Sequence, residues 1–214
     1  MAINYQVKQG DCISSIAFEH GFFPDTIWNH PSNAALKQKR KNSNVLMPGD
    51  IVFVPDKQLK EVSEPTNEVY KYRIKNVPAK LRIQFMNDGK PRANVPYILT
   101  IDGVTISQPG DSTDSQGVVA CSISPGARQG VISVGTGEDC IEYNLRLGNL
   151  NPASDISGVK QRLRNLGLYK GSADQVFDEK AQDAIRAFQA KAGLNVTGEL
   201  DAATRDKLEQ THDK

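Results

Sequence analysis

The chain has 214 residues, of which 38% are hydrophobic and 24% charged. That length and balance suit two or three small cores and exclude a disordered chain. A net charge of +1 and a pI of about 7.7 exclude a nucleic-acid binder that works through a general basic field. No stretch reaches the roughly 18 apolar residues needed to cross a bilayer, so no membrane insertion is expected.

Residues 1–56 read strand, helix, helix, strand. Tyr5-Gln6-Val7 is a short strand closed by Gly10-Asp11. Ile13, Ile16 and Ala17 recur at helical spacing, Phe18 extends that apolar face, and Gly21 stops the helix. Pro24-Asp25 starts a second helix carrying Ile27 and Trp28, both read as core. Lys37-Gln38-Lys39-Arg40-Lys41-Asn42 is a basic insertion, read as a solvated helix face, with an anionic polymer or carboxylates as the alternative partner. After the Pro48-Gly49-Asp50 turn, Ile51–Val54 is a strand by its β-branched content.

Residues 57–68, rich in Lys and Glu, read as an exposed linker. Residues 69–150 alternate apolar and polar positions between turns. Strands are predicted at Tyr70–Ile74, Leu81–Phe85, Tyr97–Ile101, Val118–Ile123, Gly130–Val134 and Ile141–Leu147, separated by Asn87-Asp88-Gly89, Asp102-Gly103, Ser115-Gln116-Gly117 and Pro125-Gly126. This spacing suggests a β-sandwich. Residues 153–214 turn helical. Asp155 or Ser157, then Asp178, then Asp201 cap three helices, Gly167 and Gly193 end the first two, and the chain frays over Gln210–Lys214. The expected class is therefore α+β and multidomain.

Two segments resemble known families. Tyr5-x-Val7-x-x-Gly10-Asp11, followed at this separation by Leu46-x-Pro48-Gly49-Asp50 and Pro55, resembles the LysM domain. The resemblance implies a βααβ fold that binds peptidoglycan or other glycans containing N-acetylglucosamine. Carried over by residue, one wall of its groove is Gly10, Asp11, Cys12, Ile13 and Ser14, and the other is Val45, Leu46, Met47, Pro48, Gly49 and Asp50. Cys12 stands where many LysM domains have threonine.

At the other end, Phe188-Gln189 followed by Gly193-Leu194-x-x-Thr197-Gly198-x-Leu200-Asp201-x-x-Thr204 resembles the three-helix peptidoglycan-binding domain. That family's central loop usually reads Asp-Gly-x-Phe-Gly-x-x-Thr, but here it is Asp174-Gln175-Val176-Phe177-Asp178-Glu179-Lys180-Ala181. Both glycines and the threonine are gone, so the fold should survive with an altered loop surface. Phe177, Phe188 and Leu200 read as core. The middle region is similar to transthyretin-like or immunoglobulin-like sandwich domains in Pro96–Thr100, Gly110–Gly117 and Ile123–Ala127. The order of the three regions is also similar to accessory proteins encoded beside the spikes of type VI secretion or related contractile systems.

No catalytic constellation stands out. His20, His30 and His212 have no zinc-ligand spacing. Cys12 and His20 lie about 12 Å apart along one helix, too far for a nucleophile and its base. Asp11 and Glu19 read as capping or solvated carboxylates. Gly135-Thr136-Gly137 lacks the Lys-Ser/Thr of a phosphate loop. Cys12, Cys121 and Cys140 form neither a metal site nor a disulfide framework, although Cys121 and Cys140 share the β-rich region and could pair under oxidising conditions.

The expected function is a non-catalytic, cofactor-free adaptor that holds peptidoglycan at both ends and docks a machine or cargo. Its alternatives are a protein-binding chaperone of a contractile spike, with a spike or effector as partner, and a wall-targeting toxin. Met1–Val7 lacks a basic n-region and an apolar run. The protein is thus expected to be made soluble in the cytoplasm, acting at the cell wall or in the periplasm only if a specialised route exports it.

Overall fold

The computed structural model describes residues 1–58, 65–66, 68–69 and 78–213. The strand expected at Tyr70–Ile74 and much of the 57–68 linker lie outside them. The described residues form six α-helices and several small sheets around three hydrophobic cores. None of these helices is long and apolar enough to cross a membrane.

In the N-terminal unit, β1 (Ile3–Gln6) pairs antiparallel with β2 (Ile51–Val54), Tyr5 lying opposite Val52. Between them run α1 (Ile13–His20), α2 (Pro24–Trp28), a 3-10 turn (Pro31–Asn33) and α3 (Ala34–Arg40). The third helix takes in the first four residues of the basic insertion, Lys37–Arg40. Ala34-Ala35-Leu36 favours helix, and Leu36 is buried against the core. Asn33, itself buried, joins the helices to the sheet. Its side chain donates to the carbonyls of Ile27 and Phe53 at 2.8 Å and accepts from Phe53 N–H at 2.8 Å. Trp28 is in the core as expected. Phe18 is not: it is 58% exposed on the far side of α1 from Ile13, Ile16 and Ala17.

The β-rich unit has two main sheets over one core. Strands β6 (Tyr97–Ile101), β7 (Val104–Thr105), β9 (Gln129–Val134) and β10 (Ile141–Arg146) form a four-stranded sheet in the order β10-β9-β6-β7. The other sheet pairs β3 (Ala79–Gln84) with β8 (Val118–Ile123), and β4 (Met86–Asn87) with β5 (Lys90–Pro91) makes a small hairpin. Alternation puts Leu99, Ile132 and Tyr143 in one row across the larger sheet. Ile83 and Val119 are paired on the other, and both sets pack in the same core. Full burial of a side chain such as Ile132 contributes about 1.5–3 kcal/mol. Asp88-Gly89 and Asp102-Gly103 turn the hairpins with positive φ at both residues, the geometry that matches strand twist.

The C-terminal unit holds α4 (Ile156–Asn165), α5 (Glu179–Ala192) and α6 (Ala202–His212). Asp155, Asp178 and Asp201 cap them, accepting from the N–H groups of Ser157, Ala181 and Thr204. The tail is not frayed as expected. Helix α6 runs to His212, and Asp213 accepts from Arg162 Nη2 at 2.8 Å, where that guanidinium is completely buried.

Candidate functional site

The two walls predicted from the N-terminal motif do meet. Val7 N–H donates to Asp50 O, and Gly49 N–H donates to Val7 O, both at 2.9 Å. At the far end Ile13 N–H donates to Ser43 O at 2.9 Å, and the Ser14 hydroxyl lies 3.3 Å from Asn44 Oδ1. Many of the predicted residues hold this trough together and present little surface. Ile13, Val45 and Leu46 are buried.

Asp50, also buried, accepts from Arg40 Nε at 2.6 Å, Arg40 Nη2 at 2.8 Å, Lys39 Nζ at 3.3 Å and Met47 N–H at 2.9 Å. Burial works against its charge, but the Arg40 and Met47 hydrogen bonds outweigh it and hold the carboxyl below its ordinary value. The basic insertion is thus turned partly inward by Arg40 and Lys39, and is not simply a solvated face. What the trough exposes, fully or in part, is Cys12, Ser14, Met47, Pro48 and Gly49.

Its Gly10–Asp11 end is covered by the β-rich unit. Arg128, in the loop before β9, donates to the Gly10 carbonyl and, at 2.9 Å, to Asp11 Oδ1. Asp11 is neither a helix cap nor solvated, as had been expected, because its carboxylate also accepts from Tyr5 Oη at 2.9 Å and Lys8 N–H at 2.8 Å. Burial, then that hydrogen bond, pushes the Tyr5 hydroxyl up to about 12. Gly148 packs directly on Gly10, where a Cβ would overlap the carbonyl oxygen. Gln9 and Gln161 both reach Asn149 O, at 3.5 and 3.0 Å, so Asn149 touches all three units. Exposed Phe18 lies beside Gly126 in the same junction.

In the C-terminal unit the Phe-Gln and Thr-Gly pattern has a structural reason. Gln189 is completely buried and makes five hydrogen bonds. Its amide nitrogen donates to Thr197 Oγ1, Glu199 O and Thr204 Oγ1, each at 3.1 Å. Its oxygen accepts from Thr197 and Gly198 N–H at 2.9 Å, and Gly198 has φ +76°.

The other loop is built around a second buried group, Lys160, whose ammonium donates to Asp174 at 2.8 Å and lies 3.5 Å from Asp178. That hydrogen bond leads the effects holding Asp174 far below its ordinary value. Neither Gln175 nor Asp178, which stand where the family has glycines, needs a positive φ. The loop therefore forms without backbone strain.

Phe177 is a correction. It is 37% exposed, beside Val176 at 62%, and is not part of the helical core that holds Phe188 and Tyr169. Phe188 is in the core and Leu200 packs partly buried against it.

Residues 152–208 match the family model described as a putative peptidoglycan binding domain. The C-terminal unit is thus of the peptidoglycan-binding type. No curated protein and no solved structure matches the chain. On the peptidoglycan-binding domain, the loop that carries Val176 and Phe177 offers apolar surface next to the Asp174–Lys160 ion pair.

Among the described residues no three His, Cys, Asp or Glu side chains come together as a metal site. The three cysteines are free, Cys121 and Cys140 included. His30 stacks on Phe53 with centroids 4.6 Å apart, and His212 bonds Asp213 at 2.7 Å. Sequence reasoning missed Arg128, Lys160 and the exposed Phe177. Only Phe177 carried a signal, since it sits in a loop just before a capping aspartate.

Proposed function

We propose that the protein is a non-catalytic adaptor that holds peptidoglycan through its C-terminal domain. The observation that carries this is the match over residues 152–208, supported by an intact helical core and by an exposed Val176–Phe177 pair. Apolar side chains cover the C–H faces of sugars while nearby polar groups orient the ligand.

The N-terminal unit supplies a second contact in this reading. Its LysM-like trough takes an N-acetylglucosamine-containing glycan along Cys12, Ser14 and Met47–Gly49. Two weak sites on one chain raise the overall affinity when both reach the same polymer. The β-rich unit, sandwich-like in its two-sheet core, spaces the two or docks a cargo, and the protein works at the wall after a specialised export.

One observation favours a second reading, a protein-binding adaptor of a contractile spike: the β-rich unit covers the Gly10–Asp11 end of the trough.

Amide chemical shifts of the full chain, followed during titration with N-acetylglucosamine oligomers, separate the two. The glycan reading predicts shifts at Cys12–Ser14 and Met47–Gly49. Unmoved shifts at millimolar oligomer would leave the trough to the second reading. Release of soluble muropeptides from purified sacculi would overturn the non-catalytic assignment.

A further inference from the structure

The β-rich unit contains a cleft of about 420 Å³ between the segment before β6 and the turn joining β9 to β10. Arg92 lies on it, unmatched. Its Nη2 donates to the carbonyl of Asp139 at 3.0 Å, and its Nη1 is buried with no hydrogen-bond partner. Among the described residues no carboxylate is paired with it. A guanidinium nitrogen without an acceptor keeps its hydrogen-bonding capacity for an incoming oxygen.

We propose that this cleft binds the C-terminal end of a short peptide that also carries an amine. A carboxylate that displaces the Asp139 carbonyl takes Nη1 and Nη2 together, in the bidentate fork that guanidinium favours. The displaced segment is a single 3-10 turn, Gly137–Asp139, flanked by positive-φ Gly135, and can yield without disturbing a strand. Val95, Pro96 and Ile141 line the cleft, Ile141 being 47% exposed, and they suit the peptide's aliphatic portion. Glu138 and Asp139 are exposed at the same cleft. They repel a simple anion and attract an ammonium, which selects a ligand bearing both charges.

The site is separate from the wall-binding surfaces, so sacculus binding by the helical domain is expected to survive Arg92→Gln unchanged. The test is a chemical-shift titration of the full chain with lysyl-alanine, its C-terminal amide and its fully N-acetylated form. The free dipeptide is expected to move the amides of Gly135–Ile141. Affinity should fall at least tenfold for the amide, for Arg92→Gln and for Arg92→Lys, which keeps the charge but not the fork. Glu138→Gln with Asp139→Asn should weaken the free dipeptide and strengthen the acetylated form, which is a simple anion.

Equal binding of acid and amide would overturn the proposal, as would full binding by Arg92→Gln or unmoved shifts at millimolar dipeptide. If Arg92→Gln unfolds the sheet, the acid–amide comparison on the unsubstituted protein decides alone.

Discussion

Three buried polar side chains hold loops in place: Asp50 and Lys160 hold those of the two candidate surfaces, and Gln189 holds the Thr197–Thr204 segment of the helical domain. Asp50→Asn leaves the nearly buried Arg40 guanidinium without its counter-charge and is expected to cost about 3 kcal/mol, measured by urea unfolding at pH 7. The Asp50 carboxyl is lower in the folded chain than its ordinary value of 3.8. The contribution of its charge is therefore fully present above about pH 3.8 and lost as pH falls through the lower folded value. Asp50→Asn should flatten that acid limb, and an unchanged limb would show that other carboxylates set it. Gln189→Leu strands two backbone N–H donors and is expected to destabilise the helical domain by about 3–5 kcal/mol. The capping aspartates were legible in the sequence because capping is a local act, spanning two or three residues. Burial of Lys160 and Arg162 was not, because charged side chains are rarely buried unless paired. Their partners, Asp174 and Asp213, lie 14 and 51 positions away.

The longer elements were legible where period and punctuation agreed. Tyr97–Ile101 and Val118–Ile123 are strands with the predicted bounds, since β-branched alternation and flanking turns both point to them. The two-residue strands β4, β5 and β7 were not predicted, because two residues carry no period. The third N-terminal helix was legible only as a charged helix face, because its apolar side is the single buried Leu36 ahead of the basic run. Helix α4 has a constraint that no periodicity reveals. A Cβ on Gly158 would overlap the carbonyl oxygens of Asn151 and Pro152, and Arg162 ties Gly158 O to Asn151 O at 3.0 and 2.7 Å. Gly158→Ala is expected to destabilise the helical domain by about 1–3 kcal/mol despite the better helix propensity of alanine. Thermal unfolding checks the sign, and a stabilised variant would show that the helix can shift at no cost.

At the scale of the whole molecule, the least legible feature is the junction of the three units. It depends on Gly10 and Gly148 having no side chains and on Arg128 lying more than a hundred residues from the carbonyl it binds. Arg128→Ala combined with Gly148→Val is expected to free the N-terminal unit. Solution scattering would register this as a larger radius of gyration, with each core still folded by its amide shifts. An unchanged radius would mean that other contacts suffice to hold the unit.

The central claim is that this molecule grips peptidoglycan through the surface around Val176 and Phe177. Co-sedimentation with purified sacculi measures it directly. The full chain is expected in the pellet, with Val176→Ser plus Phe177→Ser lowering the affinity read from the binding isotherm roughly tenfold, about 1.4 kcal/mol, while the domain stays folded. A full chain left in the supernatant, or a doubly substituted chain that pellets as well as the original, would contradict it.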